Sequence, residues 1–330
     1  MTAPLPATAG RAPRPRPPGG PPPRLLALAA LVVVGLGLAV LLALGQRGSP
    51  LISSLATPFQ WLGAPVKLAD RLASRVVPVG SLEERQLGDL YRQGFDRQVK
   101  VGDPVQAYLD ALMVPVRSRT RRPFPYRAYR LGPQGVPNAV ALPGGVILVT
   151  DELLATLGSE AELVAVLAHE AGHIELGHCF DAVRFQLLSR RSGNGSVGEL
   201  ADQASQLLLR HAFSKGEEHE ADAYAFQLLI HSPYDPAALG ASFASLRRSE
   251  VRASAGDASP AAQHADPLRD YFRSHPPTAI REAEFSQEGT SWWRRHPRER
   301  RYVGVRNLRL RLPMARRPLP QEWRRGPLAG

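Results

Sequence analysis

The chain has 330 residues, enough for one large or two small domains with a proper core, and a formal net charge of +11. Its single cysteine, Cys179, excludes an intrachain disulfide and a cysteine-built zinc site. Charge is uneven: residues 1–50 carry five Arg and no acid, and residues 290–330 carry twelve Arg against Glu299 and Glu322. The body between them holds 24 basic against 28 acidic residues, which excludes nucleic-acid binding by that body on charge grounds.

In chain order, residues 1–24 are Pro, Gly and Arg with no acid and read as disordered. Leu25 to Gly45 is 21 residues without a charge, long enough to span a bilayer as one transmembrane helix. Arg11, Arg14, Arg16 and Arg24 precede it, so the positive-inside rule keeps the N-terminus cytoplasmic and the rest extracytoplasmic, on the periplasmic side in a Gram-negative cell. Arg47, Lys67, Arg71 and Arg75 follow and weaken that contrast. A cleaved signal peptide ending near Ala43-Leu44-Gly45 is the alternative, but the apolar core exceeds the usual length of about 7–15 residues. Residues 46–80 mix Phe59, Trp61 and Leu62 with prolines, as an interfacial linker or a plain tether does. No second run of comparable length exists, so the expectation is a single-pass membrane protein.

Asn138 to Thr150 reads as strand, turn, strand about Pro143-Gly144-Gly145. An edge strand here, with Val146, Ile147 and Leu148, can pair main chain to main chain with an extended peptide; an ordinary core hairpin is compatible with the same residues. Ser159 followed by Glu162 is a capping-box pattern that opens a helix. That helix carries His169-Glu170-Ala171-Gly172-His173 within an apolar run. On a helix, residues four apart lie about 40° apart, so both histidines share a face. Two imidazoles so placed can bind one Zn²⁺, with Glu170 as general base. Such a pentapeptide arises by chance roughly once in a hundred sequences of this composition, so context decides. A core helix has little reason to carry two His and a Glu unless something pairs them, and Ala168, Ala171 and Gly172 let another element approach closely.

Continued helically, His178 would point about 140° away from His173 and take no ligand role. Cys179 reads as a buried small apolar residue. A catalytic zinc needs a third protein ligand and an open fourth position. Glu218 and Asp222, four apart at the start of a second helix, can supply the ligand and an acceptor that fixes a histidine tautomer. An acidic helix start would explain Glu217, Glu218 and Glu220 without any metal. His219 reads as a polar surface residue.

Together these motifs resemble the HtpX-like membrane-associated zinc metallopeptidases, of the single-anchor BepA/LoiP type. Ser214 to Asp222 matches the family's S-R-x-x-E-x-x-A-D helix with Lys215 for Arg, Asn138 to Thr150 its hairpin, and Asp103 to Leu109 its first helix. The late Ser274-His275-Pro276-Pro277 with Arg281 is similar to its H-P element, preceded here by a longer insertion from Ser249 to Pro267. The likeness covers roughly residues 81–287. It implies that Glu218 binds zinc, that His275 lies near the metal as ligand, oxyanion stabiliser or neither, and that Arg281 pairs with a carboxylate or stabilises an oxyanion. It also implies proteolysis in envelope protein quality control.

The expected fold is α+β: a mostly helical zincin-type (gluzincin-like) domain at 81–287 with a small sheet. One Zn²⁺ per chain is held by His169, His173 and Glu218, with Glu170 catalytic, Asp222 behind a ligand, and a protein or peptide as substrate. A latent or chaperone-like protein, blocked by a further ligand such as His275, is the alternative. Residues 288–330 read as an Arg/Trp-rich tail, solvated and partly disordered, suited by Trp292, Trp293 and Trp323 to anionic lipid more than nucleic acid. Leu308-Arg309-Leu310-Arg311-Leu312 has the alternation of a strand.

Overall fold

A computed structural model describes residues 81–190, 204, 208, 212–256, 275 and 279–326, all within one unit running from Val79 to Gly330. The expected disordered start, the anchor at 25–45 and the linker at 46–80 lie outside the described residues. Among the described helices none is long and apolar enough to cross a membrane.

Helix α1 (Ser81–Asp96) is followed by α2 (Pro104–Arg117), which Asp103 caps by accepting from the N–H groups of Val105 and Gln106. Pro104 at the first helical turn lacks an N–H that would go unbonded there anyway. Three strands come next: β1 (Arg127–Gly132), β2 (Ala139–Leu142) and β3 (Val146–Thr150). The sheet order is β1-β3-β2, with β3 parallel to β1 and antiparallel to β2. The hairpin turn has Gly144 at φ 79° and Gly145 at φ 97°, both in the left-handed region that glycine adopts without strain. A Cβ on Gly144 would also come within 2.6 Å of Gly88 Cα, so α1 crosses the hairpin glycine to glycine.

Thr150 ends β3 and caps α3 (Asp151–Thr156). The central helix α4 (Glu160–Glu175) is buried from Glu160 through Ile174. Its N-cap is Ser159, whose hydroxyl accepts the Glu162 N–H at 3.2 Å, while the Glu162 carboxylate reaches back to the N–H of Gly158 at 2.9 Å. Next come α5 (His178–Arg190), α6 (Lys215–Ile230), α7 (Ala238–Gly256) and α8 (Ala279–Arg295). Helix α6 begins with a full capping box between Ser214 and Glu217 and packs along α4. The architecture is therefore mostly helical α+β with a small sheet.

Residues 288–326, expected to be a solvated tail, are folded instead. The end of α8 buries Trp292 and Trp293, and a two-stranded ribbon, β4 (Arg300–Tyr302) with β5 (Trp323–Arg325), buries Tyr302. The Leu308–Leu312 alternation does not make a strand: α9 (Val305–Leu310) lies there between left-handed Gly304 and Arg311, with Leu308 buried and Leu310 exposed. The physical reason is that this segment completes α4. Gly304 and Val303 carbonyls accept the N–H groups of Glu160 and Ala161 at 3.1 and 3.0 Å, satisfying donors that a helix start leaves open. The fully buried Glu160 carboxylate accepts from the Tyr234 hydroxyl at 2.8 Å and the Met314 N–H at 2.9 Å.

Candidate metal centre

Helices α4 and α6 bring the chemistry together. Gly172 favours this: a Cβ there would stand 3.2 Å from Ala221 Cα and from Tyr224 Cβ, so even alanine makes α6 give by a few tenths of an ångström and a bulkier residue holds it away. His169 and His173 face α6 and place their Nε2 atoms 3.1 Å apart. Glu218 Oε1 lies 3.4 Å from His173 Nε2, and Glu218 Oε2 lies 3.6 Å from His169 Nε2. His275 Nδ1 stands 3.3 Å from His169 Nε2 and 2.9 Å from Glu218 Oε1. All four side chains are buried.

These separations discriminate between readings. Four N or O donors arranged tetrahedrally at zinc-bond length stand about 3.3 Å from one another. The five short separations, counting both Glu218 oxygens, run from 2.9 to 3.6 Å, and one donor atom from each of the four residues lies within 4.8 Å of the others. With His169 Nδ1 facing Asp222 and His173 Nδ1 facing His178, both Nε2 atoms can present lone pairs to one cation in this dry interior. A zinc ion therefore fits this donor set, with His275 at the corner that a catalytic site leaves open.

Glu170 projects into the same space and is fully buried. Neither of its carboxylate oxygens has a hydrogen-bond partner among the described residues, and His275 Nε2 stands 3.4 Å from one of them. An orphaned buried carboxylate is costly, and such groups concentrate where water or substrate is handled.

Asp222, one helical turn beyond Glu218, lies 2.8 Å from His169 Nδ1, the ring nitrogen facing away from the donor cluster. Arg281 from α8 grips both acids, with Nη1 2.7 Å from Glu218 and Nε 2.6 Å from Asp222. Of the two roles open to Arg281, the geometry shows the carboxylate pairing. Electrostatics follow from burial against pairing. Burial alone would raise the Glu218 carboxyl, but the charge of His275 and hydrogen bonds from His173 and His275 hold it far below its ordinary range. Burial likewise opposes ionisation of Asp222, yet His169 and then Arg281 keep its pKa low. Burial pushes His173 well below the usual imidazole value, which favours the neutral, ligating form. For His275 burial is outweighed by Glu218 and Glu170, and its pKa is raised.

Three residues join the centre without having been singled out for it. His178 does not continue the helix: Gly177 at φ 83° ends α4 and turns the chain, so that His178 Nδ1 comes within 3.0 Å of His173 Nδ1. Glu220 lies 3.1 Å from the other nitrogen of His178. Phe213 stacks on the His173 ring, centroids 4.0 Å apart and planes 22° apart. A glycine four residues after a helical histidine was the available signal, since glycine just past a helix end reverses the chain. His219 is more than half exposed and Cys179 is buried, as expected from sequence.

The proposed substrate-pairing residues Val146, Ile147 and Leu148 are a correction. They lie on the central strand, paired with Arg127 to Tyr129 on one side and Val140 to Leu142 on the other, so they have no free edge to offer a peptide. The outer edge of β1 is also occupied. The buried Gln106 side chain donates to Ala128 O at 2.8 Å and accepts from Arg130 N at 3.2 Å, bonding as a neighbouring strand would. Strand β2, which packs on α4, is the other outer strand among the described residues, and it is buried along its length.

Comparison with known proteins agrees with this geometry. The chain is 33% identical over 146 residues to metalloprotease LoiP of Escherichia coli strain K12, covering 40% of this chain and 58% of that protein. It is 27% identical over 180 residues to the beta-barrel assembly-enhancing protease of Yersinia pestis, covering 48% and 36%. It is 35% identical over 103 residues to the mitochondrial metalloendopeptidase OMA1 of Arabidopsis thaliana, covering 30% and 21%. The chain thus spans less than two thirds of each of these relatives. The sequence pattern of Peptidase family M48 matches residues 104–288, more than half of the chain and the whole stretch from α2 to α8 that builds the centre. The chain belongs to peptidase family M48.

Proposed function

We propose that this protein is a zinc metalloendopeptidase, anchored in a membrane by Leu25–Gly45 with its catalytic domain extracytoplasmic, acting in envelope protein quality control. The observation that carries the catalytic reading is the buried cluster of one donor atom each from His169, His173, Glu218 and His275, all within 4.8 Å of one another, beside the Glu170 carboxylate. The single uncharged run supports the anchor. Similarity to a protease named for beta-barrel assembly supports the setting.

His169, His173 and Glu218 would hold the ion. When bound, zinc supplies Lewis acidity to a peptide carbonyl and to the attacking water. Glu170 takes the proton of that water and returns it to the leaving amine; its burial keeps bulk solvent from competing for the proton. Asp222 accepts from His169 Nδ1 and so fixes the tautomer that presents Nε2. The folded basic segment 294–325 presents exposed arginines that suit anionic headgroups, although Trp292 and Trp293 are buried and unavailable to them.

A second reading rests on His275. As a fourth donor it closes the position where water and substrate must enter, making a latent or chaperone-like state. One experiment separates the two: zinc content and casein cleavage for wild type, Glu170→Gln and His275→Ala. About one zinc per chain in all three, with cleavage lost only in Glu170→Gln, supports the open protease. Cleavage appearing only in His275→Ala supports the latent state. Wild type without zinc would sink both.

A further inference from the structure

We propose that His178 and Glu220 are positioning residues for His173, a relay that fixes its ring as Asp222 fixes that of His169. The inference rests on the zinc reading above and adds residues to it.

The two histidines of the centre are supported differently. His169 Nδ1 faces a buried carboxylate directly, Asp222 at 2.8 Å. Among the described residues, no carboxylate stands directly at His173 Nδ1. Its Nδ1 faces His178 Nδ1 at 3.0 Å, and His178 Nε2 faces Glu220 Oε2 at 3.1 Å. The proton positions follow from one choice. If His173 presents Nε2 to the ion, its proton sits on Nδ1 and is donated to His178 Nδ1, which accepts. His178 then carries its own proton on Nε2 and donates it to Glu220. The chain of donors runs in one direction, from ligand to carboxylate, and ends on a residue that is half exposed.

Three features show that the relay is built in rather than incidental. Gly177, at φ 83°, bends the chain so that a residue five positions after His173 returns to its ring. Glu220 lies on α6 two residues after Glu218, so one helix supplies both a ligand and the far end of the relay. Phe213, one residue before the α6 cap, covers the face of the same ring at 4.0 Å. The His173 ring is thus held at its edge by His178 and on its face by Phe213, leaving Nε2 one direction to point.

The test is zinc affinity of the full-length chain by chelator competition, with the Co²⁺ absorption spectrum and the melting temperature of the metal-free protein alongside. His178→Leu should bind zinc about 10–100-fold more weakly and shift the Co²⁺ bands, as loss of a partner behind a ligand histidine does. His178→Asn places an acceptor near the Nδ1 position and should recover most of that loss, which a purely space-filling role would not predict. Glu220→Ala, at an exposed helical position that leaves folding intact, should weaken binding about threefold or more, with Glu220→Gln recovering part. Wild-type zinc binding with Glu220→Ala and His178→Leu both within twofold of it would overturn the relay alone. Should His178→Leu fail to fold, an unchanged Glu220→Ala would overturn it by itself. No zinc in wild type would overturn the metal reading and the relay with it.

Discussion

Arg281 holds Asp222 through two parallel hydrogen bonds, Nε to Oδ2 at 2.6 Å and Nη2 to Oδ1 at 2.8 Å, deep under the donor cluster. Its third nitrogen reaches Glu218, so one guanidinium pairs with both acids that α6 sends into the centre. Arg281→Ala leaves two buried carboxylates without their shared cation and should cost about 3–5 kcal/mol, with about 10–100-fold weaker zinc binding. Arg281→Lys should rescue little, because an ammonium cannot reproduce the planar two-point contact. Denaturant unfolding and zinc titration of the two variants check this; near-wild-type behaviour of Arg281→Lys would refute the fork.

Gly172 sets the distance between α4 and α6. Gly172→Ala gains helix propensity of about 1 kcal/mol but crowds Ala221 and Tyr224, so its stability should stay within about 1 kcal/mol of wild type. Gly172→Val adds two methyl groups to the contact and should cost about 1–3 kcal/mol while moving Glu218 off the histidines. Measured zinc affinity should therefore fall for Val much more than for Ala.

Glu160 carries a pH signature. Burial raises its carboxyl above the ordinary range, against the pull of the Met314 N–H and the Tyr234 hydroxyl. A carboxyl raised in the folded state favours the fold most at low pH, where folded and unfolded chains are both protonated. It costs stability as pH rises through the folded value and a buried charge must be carried. Glu160→Gln removes that charge, so its melting temperature relative to wild type should improve from pH 4 towards pH 7. Glu160→Ala, which leaves a buried N–H and a hydroxyl without an acceptor, should lose about 1–3 kcal/mol for each. A Glu160→Gln difference that moves the other way with pH would contradict the assignment.

The anchor reading makes its own prediction. The full-length chain should stay in the membrane pellet after carbonate washing, and deletion of residues 25–45 should release it with zinc binding intact. Release of the undeleted chain by carbonate would remove the span from the proposal.

Much of the centre was readable because it depends on local periodicity. The spacing of His169 and His173, and of Glu218 and Asp222, fixes which side chains share a helix face before any packing is known. The small residues around His173 announced a close helix crossing, and Gly172 makes one. What escaped depends on chain reversal or on partners distant in sequence. His178 was misplaced because a helix was assumed to run through Gly177. Val146 to Leu148 looked like an edge because strand order cannot be read from a hairpin; the third strand arrives from residues 127–132. The arginine density of residues 294–325 suggested solvation, while buried residues among them, such as Tyr302, Asn307, Leu308 and Glu322, carry the fold.

The clamp that Val303 and Gly304 place on the first turn of α4 has a consequence for biosynthesis. The histidine pair leaves the ribosome well before residues 303–322 exist, and during that interval the helix that bears it begins with open backbone donors and a buried acid lacking its Met314 contact. A partly made chain therefore carries the ligands but not the finished helix that aims them. Assembly of the donor cluster is therefore coupled to residues 303–322, and the proposed metal centre takes its final form only after that segment has been made.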